Sequence, residues 1–319
     1  MTKLNSIDFF KGVLVLLVIL GHVLLGQMNE SLGRTIIYSF HMPLFVGISG
    51  FLFNIESIQK LSIIGIFQKY KYRVIIPWFI AVATYYFFNT HSVDKLSLTG
   101  FVQTIIYPFF HLWFIPAYLG WIVITWLLHK LHISNMFILI IALLFTLITK
   151  TILQYPTLYQ EASSSSLIMK ILIDVFRPQF YFFFILGNIF RDKQWDSPNW
   201  KDYLFPTLLF IFTVALFYYP NNALSVLVFM GFNSLLLLLV IKICTNSIMP
   251  ESKGIQWVGL NSLAIYLWHM IPILIVKKTV GVESEWFYYS LALISELIFF
   301  VLYIYLSKII VLRKLVFGM

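Results

Sequence analysis

Long apolar runs separated by short polar stretches fill this chain from end to end. Several runs are near or above the roughly 20 residues that a helix needs to cross the hydrocarbon core of a bilayer. The pattern predicts an all-α, polytopic membrane helix bundle with about ten transmembrane helices. Because no repeat or linker divides the pattern, residues 1–319 are predicted to form a single transmembrane domain. The predicted spans are 7–27, 35–54, 72–90, 111–129, 135–153, 171–190, 202–219, 222–244, 255–276 and 286–312.

The distribution of Lys and Arg predicts the orientation of these spans, because cytoplasmic loops carry an excess of both residues. With the N-terminus inside, most of the 22 Lys and Arg fall on the inner side, so both termini are predicted to be cytoplasmic. The net charge of +9 then reflects topology and contact with anionic lipid, and a basic module for nucleic acid is not found. The first run lacks a small-x-small cleavage site, which indicates a retained helix. The single Cys244 excludes an internal disulfide.

Ionisable side chains lie inside the first two apolar runs, where burial in lipid costs a few kcal/mol each unless they face a cavity or a partner. These are Asp8, Lys11 and His22 in the first run and His41 in the second. Lys11 and His22 are eleven residues apart, so they share one helix face at a separation of about 16 Å along the axis. This face predicts a cationic inner end and an acid–base outer end. We therefore take His22 and His41, which lie at comparable depth, as the catalytic candidates.

The same topology places further ionisable side chains in the outer half of the bundle. His111 starts the fourth predicted span, Asp174 and Arg177 lie early in the sixth, and His269 lies late in the ninth. Polar groups from several helices would thus converge on one level. We interpret these four residues as candidates for stabilising an oxyanion or binding an acceptor.

A cationic group is predicted near the cytoplasmic surface, where Lys69, Lys71 and Arg73 join Lys11. Cationic side chains at this depth suit a phosphate-rich ligand that approaches from inside the cell. Lys11, Lys71 and Arg73 are therefore the candidates for binding that ligand. The residues at 69, 71 and 73 also fit a lipid-facing role that only sets the orientation.

Structural roles also fit several of the buried candidates. A single intramembrane histidine is often a hydrogen-bonding strut between helices, which applies to His111 or His269 taken alone. Arg177 is one turn from Asp174 and can pair with it at i,i+3. Glu296, in the tenth predicted span, has no assigned partner, and the sequence does not choose between a strut and a site.

The sequence predicts no metal site. His22 and His41 lack the His-x-x-x-His spacing that presents two ligands together, and no carboxylate is obviously placed to complete a site. The chain also lacks a Gly-x-Ser-x-Gly elbow, a Walker-type loop and a Gly-x-Gly-x-x-Gly motif. The sequence therefore contains none of the motifs that would indicate a hydrolase, a nucleotidase or a Rossmann fold.

Several motifs together resemble the acyltransferase 3 family of integral membrane acyltransferases, whose hallmark is a basic residue, ten intervening residues and then His. Lys11 and His22 match this spacing, although many members have Arg at the position of Lys11, and Lys cannot make the two-pronged phosphate contact. The second-helix motif is closest to members similar to fucose 4-O-acetylases and biofilm-polysaccharide acyltransferases. The matching segments, which span essentially the whole chain, are 7–12 with 21–22, 40–50, Arg73 with Pro77, 111–116, 181–187 and 259–269.

The resemblance implies transfer of an acyl group, most often acetyl, from cytoplasmic acyl-CoA to a hydroxyl of a cell-surface glycan or a lipid-linked sugar. The expected location is the bacterial cytoplasmic membrane, with acyl-CoA as a donor substrate and no bound cofactor. The CoA phosphates would rest near Lys11, Lys71 and Arg73, and His22 would be the general base. His41 would orient His22, bind the sugar, or stabilise the oxyanion together with Arg177. The sequence does not favour one of these three roles of His41 over the others.

An alternative from a different functional class is a non-enzymatic transporter or flippase for a lipid-linked sugar or polysaccharide. Ten helices with polar residues near the midplane also describe transporters. A transporter would move its substrate without consuming acyl-CoA, and it would tolerate loss of the His22 imidazole if the pocket stayed open.

Overall fold

The computed structural model describes residues 3–26, 31–90, 96–109, 111–217, 223–248, 252–280 and 284–319. These residues form eighteen α-helices and contain no strand, which confirms the predicted all-α fold. The helices are α1 (Lys3–Val23), α2 (Leu32–Leu52), α3 (Ile55–Gln59), α4 (Ile63–Tyr70), α5 (Ile76–Asn89), α6 (Leu98–Ile106), α7 (Phe114–Lys130), α8 (Asn135–Gln154), α9 (Pro156–Ser165), α10 (Leu167–Ile171), α11 (Tyr181–Arg191), α12 (Trp200–Phe217), α13 (Ala223–Thr245), α14 (Lys253–Leu260), α15 (Ser262–Trp268), α16 (Met270–Val280), α17 (Glu285–Leu306) and α18 (Ile310–Leu315).

Six segments of the described chain are long and apolar enough to cross a membrane, which confirms a polytopic helical bundle. The remaining four predicted spans fall on α5, α7, α11 and α12, which have 11 to 18 residues. The total of about ten crossings and the orientation with both termini inside therefore stay predictions. We call the end of the bundle near His22 the outer end and the end near Lys11 the inner end. The six segments are Asn5–Val23, Leu32–Leu52, Asn135–Gln154, Leu224–Thr245, Ser262–Val280 and Glu285–Leu306.

Helix α1 packs closely against α14 at a crossing of two glycines. A methyl group on Gly259 would overlap the carbonyl oxygen of Asp8, and one on Gly12 would overlap the carbonyl oxygen of Ile255. Small residues allow two backbones to approach in this way, which is a main source of helix association in membranes. The crossing fixes the rotation of α1, and with it the direction in which the adjacent Lys11 points.

A second close crossing joins α2 to α11. Side chains on Gly50 or Gly187 would overlap backbone carbonyl groups of the opposite helix. At the inner end of α2, the carbonyl oxygen of Phe53 accepts hydrogen bonds from Asn188 at 2.8 Å and Arg191 at 2.7 Å. These contacts hold the helix that carries His41.

The predicted span 171–190 is not one helix. A π-helical turn over Leu172–Phe176 ends at Arg177, which has a left-handed conformation with φ 49° and ψ 63°. Proline at 178 explains the break, because a residue that precedes proline is disfavoured in the right-handed α region. A second π-helical turn, Lys71–Ile75, precedes α5 and carries Arg73. Both breaks lie where the sequence had placed candidate functional residues.

Candidate functional site

Three histidines from distant parts of the chain meet near the outer end of the bundle. His22 lies in the last turn of α1, His111 in the turn before α7, and His269 between α15 and α16. Their ring centroids are 5.4 Å apart for His22 and His269, 5.9 Å for His22 and His111, and 4.6 Å for His111 and His269. His111 and His269 are 4% and 0% exposed, whereas His22 is partly exposed. We call these three residues the histidine cluster.

Backbone carbonyl groups fix the tautomers of the two buried rings. The Nδ1 atom of His269 lies 2.9 Å from the carbonyl oxygen of Tyr266, and Nε2 of His111 lies 3.4 Å from that of Leu267. A carbonyl oxygen only accepts, so these two nitrogens carry the protons. The opposite nitrogens, Nε2 of His269 and Nδ1 of His111, are buried acceptors without a partner among the described residues. An unsatisfied buried acceptor is costly, so this place suits a ligand that donates a hydrogen bond.

One nitrogen from each ring of the cluster lies within 4.8 Å of the other two. For any such triangle, one point lies within about 2.8 Å of all three nitrogens, which is the distance of a hydrogen bond to oxygen. A hydroxyl group or a water molecule therefore fits the centre of the cluster. Tyr266 packs against this cluster. Its ring lies 4.9 Å from the ring of His111, and its hydroxyl group donates a hydrogen bond to the His111 carbonyl group.

The histidine cluster is also the group among the described residues that could hold a metal ion. The prediction of no metal rested on His22 and His41, whereas the structure joins His22 to His111 and His269. Zinc binds imidazole nitrogen at about 2.0–2.1 Å, so the three rings would have to close inward around an ion. No Asp, Glu or Cys of the described residues joins the group. The absence of a metal therefore stays a prediction.

His41 lies beside the histidine cluster and outside it. Its Nδ1 atom is 2.7 Å from the carbonyl oxygen of Ile37, and the residue is 3% exposed. Tyr38 stands between the two catalytic candidates, with its ring 4.8 Å from the ring of His41 and 6.4 Å from that of His22. The ring of Tyr38 therefore neighbours both catalytic candidates. Sequence reasoning missed Tyr38, although it lies one turn before His41 on the same helix face.

At the inner end, two adjoining cavities open around Lys11, whose Nζ atom forms an ion pair of 3.0 Å with Asp8. The first has a volume of about 490 Å³ and includes Lys11, Tyr72, Arg73 and Lys314 in its lining. The second has a volume of about 320 Å³, shares Lys11 and Arg73 with the first, and extends inward to Tyr266. Tyr266 packs against His111, so the cavity that Lys11 and Arg73 line also includes a neighbour of the histidine cluster, although none of the three histidines is in its lining. We call Lys11 and Arg73, with the cavities around them, the cationic mouth.

The structure brings together two of the three predicted cationic residues. Lys11 and Arg73 line both cavities, whereas Lys71 lines neither and places its Nζ atom 5.3 Å from the ring of Tyr72. Lys69 lines the second cavity, and its Nζ atom donates to Ser57 at 3.3 Å. Lys71 begins the π-helical turn, two residues before Arg73. The cationic mouth therefore depends mainly on Lys11 and Arg73.

The ion pair of Asp174 and Arg177 that the sequence allowed as an alternative is not formed: their charged atoms are not within ion-pair distance. The Nε atom of Arg177 donates to the backbone carbonyl oxygen of Asp174 at 3.0 Å, and its guanidinium carbon lies 4.2 Å from the centre of the Trp113 ring. The carboxylate of Asp174 instead accepts from the hydroxyl of Tyr159 at 3.0 Å and 3.2 Å. Partial burial, together with this hydrogen bond, raises the pKa of Tyr159, so its phenol stays a donor. The guanidinium group of Arg177 therefore contacts both the backbone of Asp174 and the ring of Trp113.

Glu296 is 3% exposed in α17, and neither of its carboxylate oxygens has a hydrogen-bond partner among the described residues. It lies close enough to Tyr85 for the two groups to interact electrostatically. Tyr85 in turn packs its ring 5.7 Å from that of His111 and donates to the carbonyl oxygen of Leu267 at 3.0 Å. Tyr85 therefore interacts both with Glu296 and with one ring of the histidine cluster. Within the described chain, Glu296 therefore does not form the hydrogen bonds that a strut between helices would form.

Comparison with protein-family models matches residues 4–312 to a family whose model is described as an acyltransferase domain. No curated protein and no solved structure matches the chain. The matched region includes the histidine cluster, the cationic mouth and both crossings of glycines.

Proposed function

This chain belongs to the acyltransferase 3 family and is a multi-pass membrane acyltransferase, and we propose that it is an O-acyltransferase of the bacterial cytoplasmic membrane. Its donor is cytoplasmic acyl-CoA, most simply acetyl-CoA, and its acceptor is a hydroxyl group of a cell-surface glycan or a lipid-linked sugar. One observation carries the proposal. Lys11, Arg73 and Tyr266 line one cavity, and Tyr266 packs against His111 of the histidine cluster.

The donor enters from the inner end. Its phosphates bind at Lys11 and Arg73, since Arg forms two-pronged contacts with phosphate and Lys supplies a compact charge. The second cavity then receives the thioester arm. Phe114 and Tyr118 are among the aromatic side chains of its lining, which suit an apolar chain better than water.

The acceptor hydroxyl binds at the centre of the histidine cluster. The single proton of this hydroxyl faces His22, while His111 and His269 orient the acceptor by accepting hydrogen bonds from its neighbouring donor groups through their buried lone pairs, because backbone carbonyl groups fix their tautomers. His22 is the general base, since it is the one member of the cluster that is partly exposed and can be reached by both substrates. His41 positions His22 through the ring of Tyr38.

In the transfer step, the hydroxyl oxygen attacks the thioester carbonyl carbon while His22 takes the hydroxyl proton. The tetrahedral intermediate then collapses, the carbon–sulfur bond breaks, and the proton passes from His22 to the departing thiolate. The negative oxygen of the intermediate is stabilised by a cation close to the cluster, and Arg177 above Trp113 is our candidate. Asp174 helps to hold the backbone turn that presents Arg177.

The base role is tested by measuring acyl transfer in membranes that contain the His22→Ala variant at normal protein level. We expect a loss of roughly 10² to 10⁴-fold, the usual contribution of a general base. His129→Ala is the matched control, because His129 lies near the end of α7 and outside both cavities. Turnover close to wild type in His22→Ala would remove His22 from the mechanism.

The family assignment removes the support for a non-enzymatic transporter or flippase. The donor assignment is tested separately by incubating purified protein with labelled acetyl-CoA and cell-envelope glycans. Label should move to a hydroxyl of the glycan and free CoA should accumulate in equal amount. Movement of a lipid-linked sugar without release of CoA would contradict the proposal.

A further inference from the structure

The two inner cavities differ in lining although they share a wall. Each cavity includes three cationic side chains: Lys11 and Arg73 are common to both, and the third is Lys314 in the first cavity and Lys69 in the second. The exposed ring of Tyr72 lies in the first cavity, whereas the second is lined mainly by aromatic and aliphatic residues and includes Tyr266. Resting on the proposed function, we propose that the first cavity binds the 3′-phosphorylated ADP portion of CoA and the second its pantetheine arm. Lys314 and Tyr72 then become donor-binding residues that the motifs of the sequence did not indicate.

The three cationic residues of the first cavity come from separate elements: Lys11 from α1, Arg73 from the π-helical turn Lys71–Ile75, and Lys314 from α18. Lys11 is paired with Asp8, but Arg73 and Lys314 have no carboxylate within ion-pair distance among the described residues. Uncompensated cations that face one cavity attract a polyanion. The nucleotide end of CoA carries a diphosphate and a 3′-phosphate, so it supplies one anionic group on each side of the ribose.

The aromatic ring of Tyr72 gives the first cavity a place for a base. The residue is 45% exposed, and the Nζ atoms of Lys314 and Lys71 lie 4.5 Å and 5.3 Å from its ring centre. An exposed aromatic ring beside cations is a usual platform for stacking a nucleobase above phosphate contacts. Adenine would stack on Tyr72 in place of the Lys314 ammonium group, which would then bind the ribose phosphate.

The residues that line both cavities indicate where each part of CoA would lie. Lys11, Arg73, Ser262 and Leu263 line both cavities, so the diphosphate lies at the junction and the two ends of CoA diverge from it. From this junction the second cavity leads inward to Tyr266. The distance to be covered is set by α1, in which Lys11 and His22 are separated by about 16 Å along the axis.

This assignment distinguishes CoA from a thioester that carries only phosphopantetheine, such as an acyl carrier protein. The first test compares kcat/KM for acetyl-CoA with that for acetyl-dephospho-CoA, which lacks the 3′-phosphate, using purified full-length protein in a neutral detergent. We expect a preference for acetyl-CoA of about tenfold or more, as one charge-assisted contact supplies. Lys314→Ala should abolish most of this preference by lowering kcat/KM for acetyl-CoA alone.

The matched control is Lys308→Ala, which removes the same charge from an exposed position outside both cavities. It should keep the preference for acetyl-CoA. Tyr72→Leu should raise KM for both donors, and Tyr72→Phe should restore the wild-type value because the ring carries the contact. An unchanged preference in Lys314→Ala, or equal kcat/KM for the two donors in wild type, would overturn the assignment.

A binding measurement separates failure of this inference from failure of the proposed function. Adenosine 3′,5′-bisphosphate contains no thioester, so its binding in calorimetry requires only the first cavity. We expect it to bind wild type and Lys308→Ala, and to bind Lys314→Ala at least about tenfold more weakly. Binding with no acyl transfer to any glycan would support the assignment of the first cavity to the nucleotide and would contradict the proposed glycan acceptor. Displacement by phosphatidylglycerol in mixed micelles, with no competition by CoA, would identify a lipid headgroup site and refute the inference.

Discussion

The outer and inner ends of this bundle are built on opposite principles. At the outer end, two buried imidazoles are held by backbone carbonyl groups, with lone pairs that lack a partner in the described chain. At the inner end, Lys69, Arg73 and Lys314 are exposed long side chains around open cavities. A buried, hydrogen-bonded site depends on exact placement, whereas exposed charges in water act weakly and partly replace one another. Changes at the outer end should therefore affect kcat, and changes at the inner end should affect the donor KM.

The strongest test of this contrast removes one lone pair while keeping the hydrogen bond that holds the ring. His269→Asn retains a donor near the position of Nδ1, and His111→Gln retains one near Nε2, so the contacts with the carbonyl groups survive. Each variant should lower kcat by about 10²-fold, because the acceptor hydroxyl loses an orienting group, and should leave the donor KM unchanged. Steady-state kinetics with normal thermal stability checks this.

The exchanged variants, His269→Gln and His111→Asn, serve as the comparison. They place the amide where the lone pair stood and lose the contact with the backbone, so we expect lower thermal stability than in the first pair. Equal kcat in all four variants and wild type would show that the histidine cluster is only a packing element.

The next largest effect concerns the crossing of α1 and α14, which positions the inner end. Gly259→Ala would force a methyl group into the carbonyl group of Asp8, one turn from Lys11, and should cost roughly 1–3 kcal/mol of stability. Thermal unfolding in detergent measures the loss. Gly254→Ala lies in the same helix with no heavy atom within 4 Å of the added methyl group, so it should be neutral or slightly stabilising. Equal melting temperatures for the two variants would contradict the tight crossing.

At the inner end, Arg73→Ala should raise the donor KM by about tenfold with little change in kcat, because a phosphate contact is lost in the ground state and transition state alike. Arg73→Lys should recover part of the loss, since charge remains but the two-pronged contact does not. Lys11→Ala should act in the same direction, but it also leaves Asp8 without its cation. The double variant with Asp8→Asn removes that complication. A larger change in acceptor KM than in donor KM would refute the assignment.

The contrast also shows what a single sequence can predict. The all-α bundle, the shared face of Lys11 and His22, and the candidate residues His111 and His269 follow from apolar periodicity and from the cost of burying polar groups. Which histidines meet does not follow, because it depends on the rotation of helices that are far apart in sequence. Contacts such as that of Gly12 with Gly259 set this rotation, and they appear only in three dimensions.

The residues that the sequence did not indicate share a physical reason. Tyr38, Tyr72 and Lys314 resemble ordinary aromatic belt and orientation residues of membrane proteins until their neighbours are known. Arg177 could have paired with Asp174 on a regular helix, but the left-handed turn before proline interrupts that helix. Local breaks and distant contacts, rather than composition, account for these differences.

The smallest expected effect is that of removing metal. The three nitrogens of the histidine cluster lie within 4.8 Å of one another, a spacing that admits an oxygen atom at about 2.8 Å and is loose for zinc at 2.0–2.1 Å. We therefore expect full acyl transfer after treatment with 1,10-phenanthroline, and less than one-tenth equivalent of transition metal in the purified protein by mass spectrometry. Added Co²⁺ should give no ligand-field absorption, because three imidazoles that hold a hydroxyl do not need to close around an ion. One equivalent of metal in wild type that is lost in His269→Asn would reverse this view: His22 would then be a ligand, and the base would have to lie elsewhere.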